Sequence, residues 1–265
     1  MGGSGYLGRQ IYALLESTHS VIKTHFSGSP LGKSIQYNFF EDNIQSTVDL
    51  DQIDVVIFAS AVEFQATEQV QPSMEKFAQA LKDKRLIYLS SDGIFDGERG
   101  SYAETDQPKP KTLYGRNLAS CEDILSTICK NLCIIRPSYI YGFSCGRLDQ
   151  RLAQTKSKLE AGETVERFDD MFKSPLGVEQ VAQAVIDVAN LDYSGILHVS
   201  GKRLSVFDFH FQAMEALGVN VSNMERTQMP KTGEFLPDTS LKSSLWQNLT
   251  GANPKSIFAT LQNSD

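Results

Sequence analysis

Long apolar stretches are missing from this 265-residue chain. It has no run of about 18 apolar residues, so no transmembrane helix is expected. The first residues are glycine-rich and lack a basic segment followed by an apolar one, so no secretory leader is expected. Cysteine is scarce, and Cys121, Cys129, Cys133 and Cys145 form no C-x-x-C pair. Reduced thiols in or near a core, in a cytoplasmic protein, are the expectation. His19, His25, His198 and His210 are scattered, with no metal-finger spacing to the cysteines, so no metal site is expected. Positive charge is also short: 25 Lys and Arg stand against 32 Asp and Glu, a net charge of −7. That balance argues against a nucleic-acid binder, yet a few aimed donors can still hold an anionic small ligand.

What is present is an alternation. Ile11, Leu14 and Leu15 predict a helix starting near Gly8. Ser20 to Phe26 reads as a strand, bounded by the turn Ser27-Gly28-Ser29-Pro30. Asp54 to Ala59 is a continuous apolar run after its first residue, as in a strand buried on both faces. Met74, Phe77, Ala78 and Leu81 predict a helix, and Arg85 to Leu89 a strand. Leu118, Cys121, Leu125 and Ile128 predict a helix, and Leu132 to Ile135 a strand. This rhythm predicts an α/β, doubly wound parallel sheet with right-handed crossovers.

After Gly142 the rhythm changes. Residues 146–165 are polar and read as helical. Val178, Val181, Ala182, Val185 and Ile186 follow Ser174-Pro175 as a helix, and Gly195 to Val199 reads as a strand returning to the sheet. Phe207, Phe211, Met214 and Leu217 form a helix that stops at Gly218. A short helix is expected after Pro254. The expected division is a dinucleotide-binding domain over 1–142, with 177–201 returning to it, and a smaller substrate-binding lobe from 143–176 and 202–265.

Gly2-Gly3-Ser4-Gly5-Tyr6-Leu7-Gly8 fits G-x-x-G-x-x-G and leads into a helix. Glycines there permit a tight turn and close backbone approach to a pyrophosphate, and the helix start offers free N–H groups. Such a turn should follow a buried strand, and only Met1 precedes it. Either the natural chain starts upstream, or the site is degenerate and the sheet has closed up or opened. The first is the expectation. Thr24-His25-Phe26-Ser27 carries no Asp or Glu to bind ribose hydroxyls, which leans toward NADP over NAD. Arg9 and Lys33 are the candidate replacements.

Leu89-Ser-Ser-Asp-Gly-Ile-Phe-Asp-Gly97 sits where a parallel strand ends, and Tyr114 opens a later helix. A hydroxyl at a strand end and a tyrosine at a helix start can meet over a nicotinamide ring, where the tyrosine protonates a developing alkoxide. The plainer alternative is that Ser91 caps a turn and Tyr114 packs or lies at the surface.

With these segments, Tyr102-x-Glu104-x-Asp106-x-Pro108, Arg136-Pro-Ser-Tyr-Ile-Tyr-Gly142 and Phe168-Asp-Asp-Met-Phe-Lys-Ser-Pro175, the sequence resembles the extended short-chain dehydrogenase/reductase superfamily. Within it, the resemblance is to dTDP-4-dehydrorhamnose reductase-like sugar-nucleotide reductases. It implies a Rossmann-like fold whose first strand is missing from this chain. Ser91 and Tyr114 are implied as catalytic residues. Gly2, Ser4, Gly5, Tyr6, Leu7, Gly8, Phe58, Ala59, Ser60, Pro137 and Ser138 are implied at the cofactor, and Asp92 and Phe143 at the substrate. The implied activity is NADPH- or NADH-dependent reduction of a nucleotide-linked 4-keto sugar, and a homodimer is compatible with it. The family's lysine four residues after the tyrosine is Leu118 here, its asparagine is Phe58, and its tyrosine after Ser-Thr-Asp is Gly93. Arg116, two residues after Tyr114, points away from it. The expectation is therefore a weak or atypical reductase. The alternative is an inactive, reductase-like binding or regulatory subunit.

Overall fold

The structure is a computed structural model that describes residues 1–26, 32–233 and 235–262. The turn expected at 27–30 lies outside the described residues. The chain forms two compact units. The first contains residues 1–95, 107–136 and 182–197, and the second 96–106, 137–181 and 198–265. Residues 96–106, 137–142, 177–181 and 198–201, which the sequence reading groups with the dinucleotide-binding part, thus cluster with the second unit.

In the first unit, helix α1 (Tyr6–Leu15) follows the glycine turn. Strands β1 (Thr24–His25) and β2 (Ile35–Gln36) form a separate two-stranded parallel sheet. Strand β3 (Val55–Phe58), helix α2 (Thr67–Ala80), strand β4 (Arg85–Leu89), helix α3 (Leu113–Ile128) and strand β5 (Asn131–Pro137) follow. After helix α5 (Val178–Asn190), strand β7 (Gly195–Val199) completes a four-stranded sheet in the order β7-β5-β4-β3. The β3–β4 and β4–β5 pairs are parallel, with Val55 opposite Arg85 and Arg85 opposite Asn131. This is the expected α/β parallel sheet.

The sheet forms where aliphatic runs can be buried. Leu86, Ile87 and Tyr88 of β4 are fully buried, as are Cys133 and Ile135 of β5. Helices α2 and α3 pack on each other. Phe58, Phe39, Phe77 and Tyr88 form an aromatic cluster, with Phe58 and Phe77 edge to face at 5.1 Å. Each such pair contributes about 0.5–1.5 kcal/mol beyond its burial. Arg136 makes a buried ion pair with Glu122, Nη2 to Oε2 at 2.5 Å. Arg85 at the head of β4 donates to the Val188 and Leu191 carbonyls, anchoring the C-terminal end of α5.

The second unit contains α4 (Gln150–Glu160), β6 (Val165–Phe168), α6 (Val206–Ala216), β8 (Met224–Thr227) and α7 (Ile257–Gln262). Strands β6 and β8 pair in parallel. Leu152, Leu159, Phe207, Phe209, Met214 and Leu261 form its core. The polar stretch after Gly142 is helical only over α4, whose N-cap Asp149 accepts from the N–H groups of Arg151 and Leu152. Gly218, at φ +70°, ends the turn after α6 where the sequence places the stop. Among the described residues no helix is long and apolar enough to cross a membrane, and no His/Cys/Asp/Glu group could hold a metal ion. Cys121, Cys129, Cys133 and Cys145 are free thiols, and only Cys145 is exposed.

Candidate active site

The glycine turn is held by its own backbone. Gly5 N–H donates to the Gly2 carbonyl at 3.0 Å, and Gly3 N–H to the Thr24 carbonyl at 2.9 Å. Gly2 has φ +73°, and a Cβ there would lie 2.7 Å from the Ala59 carbonyl oxygen and 2.8 Å from Ser60 Oγ. A Cβ on Gly8 would lie 2.1 Å from the Gly2 carbonyl oxygen. The turn thus lies directly against the end of β3 and brings Gly2, Gly8, Ala59 and Ser60 together. Gly5 is the N-cap of α1, without a side-chain cap, and no acidic residue occupies the first helical turn. The N–H groups at such a helix start favour an anion. Arg9 Nε donates to the Ser4 carbonyl at 2.7 Å, and Lys33 is exposed. The Phe58 side chain does not join this group, because it is fully buried in the aromatic cluster.

The second group forms at the end of β4. Ser91 caps a short 3-10 turn over Asp92–Ile94, its Oγ accepting Gly93 N–H at 3.2 Å. The same hydroxyl donates to Asp92 Oδ1 at 3.1 Å, and Asp92 is buried. Thr112 caps α3 by accepting Gly115 N–H at 3.0 Å, so Tyr114 stands in the first turn of that helix. The Tyr114 ring and the Ser91 hydroxyl meet across Gly93, where a Cβ would lie 3.1 Å from Tyr114 Cε1 and 3.7 Å from Ser91 Oγ. Both plainer alternatives are therefore met as well: Ser91 does cap a turn, and Tyr114 does pack. Burial and the negative charge of Glu63 push the Tyr114 hydroxyl up to about 12, and the nearby Ser91 side chain opposes this.

One departure from the family pattern, Gly93, has a local explanation. A Cβ on Gly93 would press on Tyr114 Cε1 at 3.1 Å, so the absent side chain makes room for the tyrosine ring. A Cβ on Gly115 would lie 2.1 Å from the Gly93 carbonyl oxygen, so the helix start sits directly on the loop. The Tyr114 ring stacks on Phe64 at 4.3 Å and 13°. Leu118, one turn further along α3, is 1% exposed and brings no charge near the phenol. Arg116 donates instead to the Lys111 carbonyl at 3.0 Å.

The sequence reading missed Glu63 and Asn117. Glu63 is buried, its Oε1 accepting the Tyr88 hydroxyl at 2.5 Å. Burial pushes its carboxyl up to about 7, while the Tyr88 hydrogen bond pulls the other way. Asn117 is fully buried, donating to the Glu63 and Gln65 carbonyls at 2.9 Å each and accepting from Thr67 Oγ1 at 2.7 Å. A polar residue on the buried side of a helix stripe was the available signal for Asn117. Glu63, in a loop, offered none.

Pro137, Ser138 and Phe143 belong to the second unit. Ser138 Oγ accepts Ser174 N–H at 3.1 Å, and Phe143 packs against the core of that unit. Asp169 and Asp170 fix the stretch after β8 by accepting from Gln228 Nε2 at 2.5 Å and Met229 N–H at 2.9 Å.

A family model described as the RmlD substrate binding domain matches residues 1–263. The chain belongs to that family. A probable low-salt glycan biosynthesis reductase from Haloferax volcanii is 26% identical over 250 residues, 86% of this chain and 82% of that protein. Against two further curated relatives the match spans 65% and 58% of their own length. The crystal structure of a hypothetical dTDP-4-dehydrorhamnose reductase from Sulfolobus tokodaii superposes with a TM-score of 0.84 at 24% identity, over 97% of this chain and 96% of that one. A dTDP-4-dehydrorhamnose reductase from Bacillus anthracis, solved with NADP, gives 0.79 at 19% identity over 98% and 95%. These likenesses establish the Rossmann fold.

Proposed function

We propose that the chain reduces the 4-keto group of a nucleotide-linked sugar, with a nicotinamide dinucleotide held at the turn before α1. The observation that carries this reading is that Ser91 and Tyr114 meet across Gly93 at the C-terminal end of β4, in the unit that also contains the glycine turn. Open α/β sheets bind ligands at that end of their strands.

The residues fit a dinucleotide diphosphate. The start of α1 carries neither a side-chain cap nor an acidic side chain, so its N–H groups can take the negative charge. The lack of a carboxylate at Thr24-His25-Phe26 favours NADP over NAD, and the Bacillus anthracis relative was solved with NADP. When bound, the reduced dinucleotide supplies hydride. Ser91 turns its hydroxyl from Asp92 to the carbonyl oxygen and steadies it by hydrogen bonding, and Tyr114 donates the proton to that oxygen. Asp92 holds the Ser91 hydroxyl before the substrate arrives and lies beside the sugar.

The raised Tyr114 pKa keeps the phenol protonated at neutral pH but makes it a reluctant donor. Without a cation at Leu118, the rate falls by about 10²–10⁴ relative to a site that has one. This makes the chain a slow reductase. The buried Leu118 favours one second reading, a binding or regulatory subunit that keeps the fold without turnover.

The two are separated by titrating the protein with NADPH and NADH by fluorescence, then assaying keto-sugar nucleotide reduction. The reductase reading expects NADPH binding, slow turnover, and turnover lost in Tyr114→Phe with binding intact. Binding without turnover selects the subunit reading. No binding of either dinucleotide removes both.

A further inference from the structure

Behind Tyr114 the first unit buries a carboxyl to which the reaction has so far given no part. Glu63, in the loop between β3 and α2, is 2% exposed. Three contacts hold that loop in place. From β4, the Tyr88 hydroxyl donates to Glu63 Oε1 at 2.5 Å. From α3, Asn117 Nδ2 donates to the Glu63 carbonyl at 2.9 Å. The next residue, Phe64, stacks on the Tyr114 ring with centroids 4.3 Å apart. Tyr114, Asn117, Leu118 and Cys121 fall on one face of α3. The loop carrying Glu63 is therefore clamped to the face that carries the phenol. A charge on Glu63 acts on Tyr114 through protein rather than water, where it is screened least.

Among the described residues Glu63 pairs with no cation. Leu118 is apolar, and Arg116 donates to the Lys111 carbonyl. Arg136 of β5 is locked to Glu122 of α3, donating from Nε at 3.0 Å and from Nη2 at 2.5 Å. Asp92, in the turn after β4, accepts the Ser91 hydroxyl, and Glu68 in the first turn of α2 is exposed. Burial holds the Tyr88 phenol well above its ordinary range and pushes the Cys121 thiol up to about 12, so both keep their protons near neutral pH. Glu63 differs from them. Burial lifts its carboxyl to about 7, while the Tyr88 hydrogen bond pulls it down.

With Tyr114 read as the proton donor, we propose that Glu63 is a positioning residue whose own proton decides how readily the phenol gives up its hydrogen. When the carbonyl oxygen takes the phenolic proton, it becomes a hydroxyl and Tyr114 is left as a phenolate, which recovers its proton from water. Ionised Glu63 sets a second negative charge beside that phenolate and disfavours it. Protonated Glu63 leaves it a neutral neighbour. Proton donation is therefore faster on the acid side of neutrality. The carboxyl acts on the phenol with the sign opposite to that of a cation at position 118.

The test uses the full chain with carbon-13 at the tyrosine Cζ, and the Tyr114 signal is the one missing from Tyr114→Phe. Between pH 5 and 8 this signal is expected to shift with a midpoint near 7, and to stay in place in Glu63→Gln. Tyr88→Phe removes the hydrogen bond that favours the ionised carboxyl, so the midpoint should move up in pH. In assays of keto-sugar nucleotide reduction, kcat should fall about threefold from pH 6 to pH 8 with KM unchanged, and should hold its higher value across the range in Glu63→Gln. A Tyr114 signal that does not move, a shift that survives Glu63→Gln, or a midpoint unmoved in Tyr88→Phe would each overturn the proposal. A signal that follows Glu63 in a chain without turnover at any pH supports the coupling and removes the reductase reading instead.

Discussion

The turn before α1 and the hydroxyl pair after β4 lie in one unit but are built from different material. The turn is backbone against backbone: the Gly2 carbonyl, the Gly8 Cα and the Ala59 carbonyl occupy space that no side chain can share. The pair is made by side chains, with Ser91 and Tyr114 set by an N-cap on either side. The first arrangement has no substitutes. The second tolerates a glycine at 93, a leucine at 118 and a phenylalanine stacked on the tyrosine, because each alters reactivity without displacing the main chain. Binding and turnover can therefore diverge in this chain.

The largest effect is expected at the turn. Gly8→Val places a branched side chain 2.1 Å from the Gly2 carbonyl oxygen, against backbone that cannot retreat. A loss of about 3 kcal/mol in urea unfolding is expected, together with loss of measurable NADPH binding. A variant as stable as the parent would show that the turn is not built as described.

Leu118→Lys sharpens the contrast from the other side. It introduces a cation one turn from Tyr114 at a position 1% exposed. Turnover should rise by about tenfold, at a stability cost of about 1–3 kcal/mol for burying the amine. An unchanged rate in a folded, NADPH-binding variant would count against Tyr114 as the proton donor.

The effect that is smallest in any one pH step concerns Glu63. The Glu63 carboxyl titrates near 7 in the folded chain and near 4.5 when free. Below 4.5 both states hold the proton. Between these values the unfolded chain releases it first, so stability falls as pH rises and levels off above about 7. At about 1.4 kcal/mol per pH unit the span is on the order of 3 kcal/mol. Glu63→Gln should flatten this part of the profile in urea unfolding between pH 5 and 8, and an unaltered slope would assign it to another group. His210, buried in the second unit and depressed to about 3 by desolvation, has the opposite slope, losing stability as pH falls below its ordinary 6.5.

Where local sequence and ladder agreed, the strands were legible to the residue. Arg85–Leu89 and Gly195–Val199 have the bounds that their apolar runs suggest. The run at 20–26 yields only Thr24–His25, because ladder partners reach it at one end alone. In α6 the stripe Phe207, Phe211, Met214 and Leu217 was only half right. Phe209, His210 and Ala213 are also buried, since a helix packed on more than one side shows no single periodic face. The candidate site could be named at Ser91, Asp92 and Tyr114, because proton transfer restricts the residue type, and the structure brings these three together. It was illegible at Glu63, whose burial depends on Tyr88 from a strand and Asn117 from a helix.

Asn117 grips the segment carrying Phe64 from the same helix that carries Tyr114. The two stacked rings therefore ride on one rigid bracket, with Phe64 65% exposed at its outer end. Phe64 therefore shields one face of the phenol ring while turning much of its own surface to solvent.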